Sequence, residues 1–107
     1  MAGTVTAIGV MATAALLTVG LATAGAAAVT GQRLAAAADA AALAAADAAS
    51  GAVPGVPCTR AAEVAEAGGA SLTDCVVDGL VATVTVSTRM LHWQAEAAAR
   101  AGPPPSP

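Results

Sequence analysis

Two cysteines, one histidine and seven acidic side chains are all that this chain offers to catalysis or metal binding. Cys58 and Cys75 stand 17 positions apart. A finger-type zinc site draws on paired C-x-x-C spacing and several imidazoles, and the single histidine is His92. No metal and no cofactor is therefore expected. Glu63 and Glu66 form an i,i+3 acidic pair on a short helix, which reads as a solvated face rather than a glycosidase couple. Ser71, Asp74 and His92 have the residue types of a triad, but residue types without geometry make no site. Neither G-x-S-x-G nor G-x-x-x-x-G-K-[ST] occurs. The chain reads as non-enzymatic, with no small-molecule substrate. Two uses remain for the cysteines: one disulfide, as expected of a small extracytoplasmic part, or two separate buried thiols in a reduced chain.

The rest of the composition narrows the class. Of 107 residues 57% are hydrophobic, yet Trp93 is the only aromatic one and no lysine is present. The apolar fraction is mostly Ala, Val and Leu, so an aromatic-anchored core is excluded. Four arginines against seven acids give a net charge of −3, which speaks against nucleic-acid binding. A mean hydropathy of +0.74 speaks against general disorder.

Charge is absent from Met1 to Gln32. About 20 apolar residues at ~1.5 Å rise cross a bilayer, and Thr4–Thr30 is long enough. Residues 1–31 are thus expected to be a transmembrane segment. The rival reading is a secretory signal cleaved near Ala24, with Ala22-Thr23-Ala24 as the A-x-A site; a buried helix of a soluble protein is the third. No Arg or Lys precedes the apolar run, so the biological start is expected further upstream. Arg33, just after the span, would by charge alone place the following part inside. The cysteines argue for the opposite side.

Residues 32–50 are almost all alanine, the best helix former, and nothing breaks them before Gly51. The helix is expected to continue from the membrane segment through Ser50. At about 100° per residue, Gln32, Asp39, Leu43 and Asp47 share one narrow arc. The remaining alanine surface, Ala41 and Ala45 included, is expected to lie against helices of other subunits. Residues 51–57 are a Pro/Gly linker.

Residues 58–88 form the expected head. Thr59–Ala67 reads as a helix with Thr59 as N-cap, Gly68-Gly69 as its end and Arg60–Glu63 as a surface pair. Ser71–Val77 and Leu80–Ser87 read as strands around Asp78-Gly79, a type I′ turn signal. That turn pairs Val77 with Leu80, Cys75 with Ala82 and Thr73 with Val84, and sets Cys75 on the face of Leu80, Ala82, Val84 and Val86. A helix beginning at Cys58 would cover that face, so the geometry allows a bridge. Residues 89–107 are expected to hold a short helix, about Met90–Arg100, and a flexible Pro-rich end. Met90, Leu91 and Trp93 of that helix would cover the sheet or touch a membrane interface.

Arg33, the block Ala36–Ala46 with Asp39 and Leu43, Cys58, the Ala-rich stretch Ala61–Ala67, Cys75 and Val77-Asp78-Gly79 follow one another in this order behind an apolar segment. Over about Gly3–Thr88 this resembles the TadE/TadG-like family, and within it the small actinobacterial TadE-like proteins described as related to secretion or DNA translocation. The resemblance implies a pilin-like membrane protein of a tight-adherence pilus or secretion apparatus. Arg33, Asp39, Leu43 and Asp47 would then carry the family's helix packing, and other pilin-like subunits would be the partners. The fifth residue after Gly3 is Ile8 rather than the Glu of pilin-like precursors, and Ala35 replaces a Gln common in relatives, so prepilin-peptidase processing is not expected. The whole reading is an α+β chain in the cell membrane: one single-pass helix, then a small helix–hairpin head outside the cytoplasm.

Overall fold

The computed structural model describes residues 1–106. The order of elements is α1 (Ala2–Ala49), α2 (Pro57–Ala67), β1 (Ser71–Asp78), β2 (Val81–Met90) and β3 (Trp93–Ala101). The chain divides into two compact units, Met1–Thr30 and Gly31–Pro107, and helix α1 contributes to both.

The first unit is the amino-terminal part of α1. Its Val5, Ile8, Val10, Met11, Leu16, Leu17, Val19 and Leu21 are all exposed. The only polar side chains are threonines, and Thr6, Thr13, Thr18, Thr23 and Thr30 each donate their hydroxyl to the carbonyl four residues back, at 2.9–3.1 Å. This is one helix long and apolar enough to cross a membrane. Every residue from Met1 to Val29 is exposed.

The second unit is α+β. Its antiparallel sheet has the order β1-β2-β3. Leu34, Ala37, Ala38, Ala41, Ala42, Ala45 and Ala46 form the buried stripe of α1, at i, i+3, i+4, i+7 spacing. They share one core with Ala61 and Ala65 of α2 and with Ala82, Val84 and Val86 of β2. Small side chains on facing surfaces let the backbones approach closely: a Cβ added at Gly68 would lie 3.1 Å from that of Ala37. The alanine surface expected to await other subunits is therefore used within the chain. Ala41 and Ala45 are fully buried by its own head, because a two-helix, one-sheet layer needs a helix stripe to cover the sheet.

Both helices end in a Schellman motif. Gly51 (φ +80°) donates to Ala48 O and Ala52 to Asp47 O; Gly69 (φ +79°) donates to Glu66 O and Ala70 to Ala65 O. The expected start of α2 is corrected. Val56 is the N-cap, without a side-chain cap, and Pro57 opens the helix, its fixed φ being already helical. Thr59 lies inside the first turn.

The sheet corrects three expectations. The loop between β1 and β2 is Gly79-Leu80, with Asp78 paired to Val81. Gly79 alone of the two has positive φ (+62°), the type II′ pattern rather than I′. Every partner moves by two residues, Cys75 to Val84 and Val77 to Ala82. A shift of two preserves the face, so the inward set Ala82, Val84 and Val86 stands as read, while Leu80 sits in the exposed loop. Thr73 does not pair with Val84 but forms a bulge between Leu72↔Val86 and Asp74↔Thr85. The extra residue lets both Leu72 and Cys75 face the core.

The largest correction is the tail. The segment expected as a helix over Met90–Arg100 is strand β3, paired with β2 from Met90↔Trp93 to Ala82↔Ala101. Ala95, Ala97, Ala99 and Ala101 pack against the core, while Gln94, Glu96, Ala98 and Arg100 face solvent. The ladder outweighs alanine's helix preference because a two-stranded sheet is marginal and a third strand completes it. Trp93 begins β3 and is 55% exposed, so it does not cover the sheet.

Candidate functional site

The chemistry-bearing residues stand in three places. The first is the junction of α2 and β1. Cys58 in the first turn of α2 is bridged to Cys75 in the middle of β1, with Cα atoms 5.9 Å apart, and no cysteine is free. Pro57 sets the start of α2, and the bulge at Thr73 turns Cys75 inward. The bridge thus ties the one helix that follows the linker to the core face of the sheet. It closes a loop of 17 positions, which restricts the unfolded chain by about 3 kcal/mol in the chain-entropy picture. That is a large share for a core whose largest fully buried side chains, among the described residues, are Val84 and Val86.

The second place is the solvent side of α1. Arg33, Asp39, Leu43 and Asp47 are all exposed, Leu43 to 57%. They lie opposite the buried alanine stripe and so form the face that the head leaves uncovered. Leu43 between two carboxylates is an apolar side chain in a place where folding does not need it. The third place is the β1–β2 turn, where Asp78 ends β1 and Gly79 supplies the positive φ.

The triad-type residues are not one group: Ser71 opens β1, Asp74 follows the bulge, and His92 is in the β2–β3 turn. Among the described residues no cluster of three His, Cys, Asp or Glu side chains could hold a metal ion. The one ion pair among them is Arg60–Glu63, at 3.0 Å and exposed on α2, as the spacing predicts. An exposed i,i+3 pair contributes only ~0.3 kcal/mol.

Sequence reading missed Glu96 and Arg100 as residues of a sheet edge. The signal was present. Gln94, Glu96 and Arg100 all fall on one parity, the period of a strand, but the alanines between them also satisfy a helix.

No protein-family model, no curated protein and no solved structure matches this chain.

Proposed function

We propose that this chain is a single-pass membrane protein with an extracytoplasmic, disulfide-closed head, serving as a non-enzymatic structural or assembly subunit of a TadE-like pilus or secretion apparatus. The observation that carries the membrane reading is the first unit: an apolar helix, exposed from Met1 to Val29, in which five of six threonine hydroxyls are bonded to its own carbonyls. In hydrocarbon a polar group without a partner is costly, so such internal bonding suits lipid. The Cys58–Cys75 bridge supports an oxidising compartment for the head. The apparatus is supported by the motif residues alone. Arg33, Asp39, Leu43 and Asp47 form a face available to a neighbouring subunit after the head has folded.

Membrane fractionation with amino-terminal sequencing tests the anchor. An intact or Thr4 start in the carbonate-resistant membrane fraction is expected; a Gly25 start in the culture fluid overturns the anchor and favours a secreted protein. Labelling with a membrane-impermeant thiol reagent tests the orientation. After reduction of intact cells, Cys58 and Cys75 should react; reaction only after lysis overturns it. A photo-crosslinking residue at position 43 tests the assembly role. Adducts to other small membrane subunits are expected, and their absence, with a fully folded head, overturns it.

A further inference from the structure

The β2–β3 hairpin ends in an apolar tip. Its two-residue loop is Leu91-His92, closed by the pair Met90↔Trp93. Leu91 is 78% exposed and Trp93 is 55% exposed. Single exposed apolar residues are ordinary, but here a leucine and the only aromatic side chain stand together at one projecting turn. The backbone makes the leucine more unusual. Leu91 has φ +47° and is the one non-glycine residue with positive φ among the described residues. A loop of this kind takes glycine or asparagine there at little steric cost, whereas leucine is strained. Folding of the head therefore does not call for an apolar side chain at this position.

The tip lies at the end of the head where α1 enters it. Near its start α2 is bridged to Cys75, which is opposite Val84. Just past its end the Thr88 hydroxyl donates to the Gly69 carbonyl at 3.4 Å. α2 and β2 thus run in the same sense. The connection from Ala49 to Pro57 is short, so α1 runs the opposite way, and its Ala37 meets Gly68. Thr88 is therefore level with Ala37. From there three residues of strand carry the chain about 10 Å to Leu91. Six residues of helix lead back about 9 Å to Gly31, the first residue of the second unit.

Charge is sorted along the same direction. Beyond the level of Ala37 and Thr88 the head consists of residues 31–36 and 89–95. These carry Arg33 and Arg89, both exposed, and no carboxylate side chain. All seven acidic residues of the chain, Asp39, Glu66 and Glu96 included, lie on the other side of that level. A chain of net charge −3 thus has one end that is both basic and apolar.

We propose that the Leu91–Trp93 tip is a second membrane contact, inserted into the interfacial layer of an anionic lipid surface. Trp93 and Leu91 lie at the acyl boundary, and Arg33 and Arg89 face the headgroups. The inference rests on the membrane reading of Met1–Thr30: with that stretch in lipid, Gly31 is at the bilayer surface and the tip is level with it. The occupant is lipid because an indole beside a leucine, ringed by arginines and clear of acids, matches the order of acyl chain and headgroup. A tip held in the interface orients the head on the membrane, and with it the face of Asp39, Leu43 and Asp47.

The test uses the full chain reconstituted in vesicles of phosphatidylcholine and phosphatidylglycerol, with plain or brominated acyl chains. Bromine quenches tryptophan on contact, and Trp93 is the only tryptophan, so its emission reads the tip directly. Emission is expected to be quenched by the brominated lipid. Moving the reporter to the β1–β2 turn, with Trp93→Phe and Leu80→Trp, is expected to abolish the quenching. Leu91→Asn suits the positive φ and removes the apolar side chain. The urea midpoint of the head should hold or rise, while the ratio of lipid-seated to free tips should fall about tenfold. Flotation with the vesicles and an intact Cys58–Cys75 bridge are checked for every variant. A chain that floats with Trp93 unquenched overturns this inference and leaves the anchor standing. A chain that does not float overturns the anchor reading and this inference with it. Quenching that Leu91→Asn leaves unchanged, or that the Leu80→Trp reporter shares, also overturns the tip contact.

Discussion

Two stretches of one helix have opposite relations to their surroundings. Residues 1–30 expose Val, Ile, Leu and Met on every side, and residues 34–46 bury alanine on one side. Both are charge-poor and both are good helix, so helix propensity does not separate them. Side-chain size does. Bulky side chains distributed around a helix need apolar surroundings on all sides, which lipid provides. Methyl groups bury little area each, at ~25 cal/mol per Å², and are useful where they admit a sheet at close range. The upper stretch is matched to a solvent and the lower one to a partner within the same chain.

This contrast can be broken most sharply at Ala41. It is fully buried in the head, so Ala41→Lys places an unpaired charge and a long side chain in a close-packed core. A loss of about 4 kcal/mol is expected. Urea unfolding of the full chain in micelles, followed by Trp93 emission, measures it; an unchanged midpoint would show that the alanine stripe is not the core. Next is Cys75→Ser, which removes the cross-link and should lower head stability by about 3 kcal/mol. The same unfolding transition reads it, and the value sharpens how much of a valine-poor core depends on the bridge. Leu17→Lys acts on the other stretch. On the proposed membrane reading, insertion should weaken by roughly 3 kcal/mol for a charge near the centre of this apolar stretch. Carbonate extraction and head unfolding are measured together: extraction should rise and the unfolding midpoint should stay. A coupled change in both would dissolve the distinction between the stretches. The smallest effect is expected for Asp39→Asn, on the exposed face of the helix, within ±0.5 kcal/mol of wild type. A larger loss in isolated chain would mean that this carboxylate supports the fold, not only a surface.

Much of the head could be read from residue patterns, and the failures are instructive. The bridge was legible because Cys58 begins a helix and Cys75 lies on the apolar face of a strand. That face survived an error of one residue in the turn, since Gly79-Leu80 instead of Asp78-Gly79 moves each partner by two. The start of α2 was misplaced because Thr59 has a capping side chain, whereas Pro57 needs none. In β3 the misreading had a deeper cause. Ala95 to Ala101 satisfies a helix by propensity and a strand by parity, and only the presence of an open β2 edge decides between them. The face of Arg33, Asp39, Leu43 and Asp47 was legible as an arc. Its opposite side was assigned the wrong partner, because a sequence of alanines does not say which surface will cover it.

The sequence by itself determined the charge-free apolar stretch, the uninterrupted helix up to Gly51, the glycine-marked helix ends and the inward parity of Ala82, Val84 and Val86. These depend on local properties: hydropathy, propensity, the positive φ open to glycine, and the two-residue repeat of a strand. Tertiary structure alone decided that the alanine stripe of α1 lies on its own sheet, that Thr73 bulges so that Leu72 and Cys75 share the core face, and that residues 93–101 become the third strand with Glu96 and Arg100 along its free edge. Alanine leaves these choices open because its methyl group is compatible with either backbone and either neighbour. The contact that buries it supplies the energy that selects one.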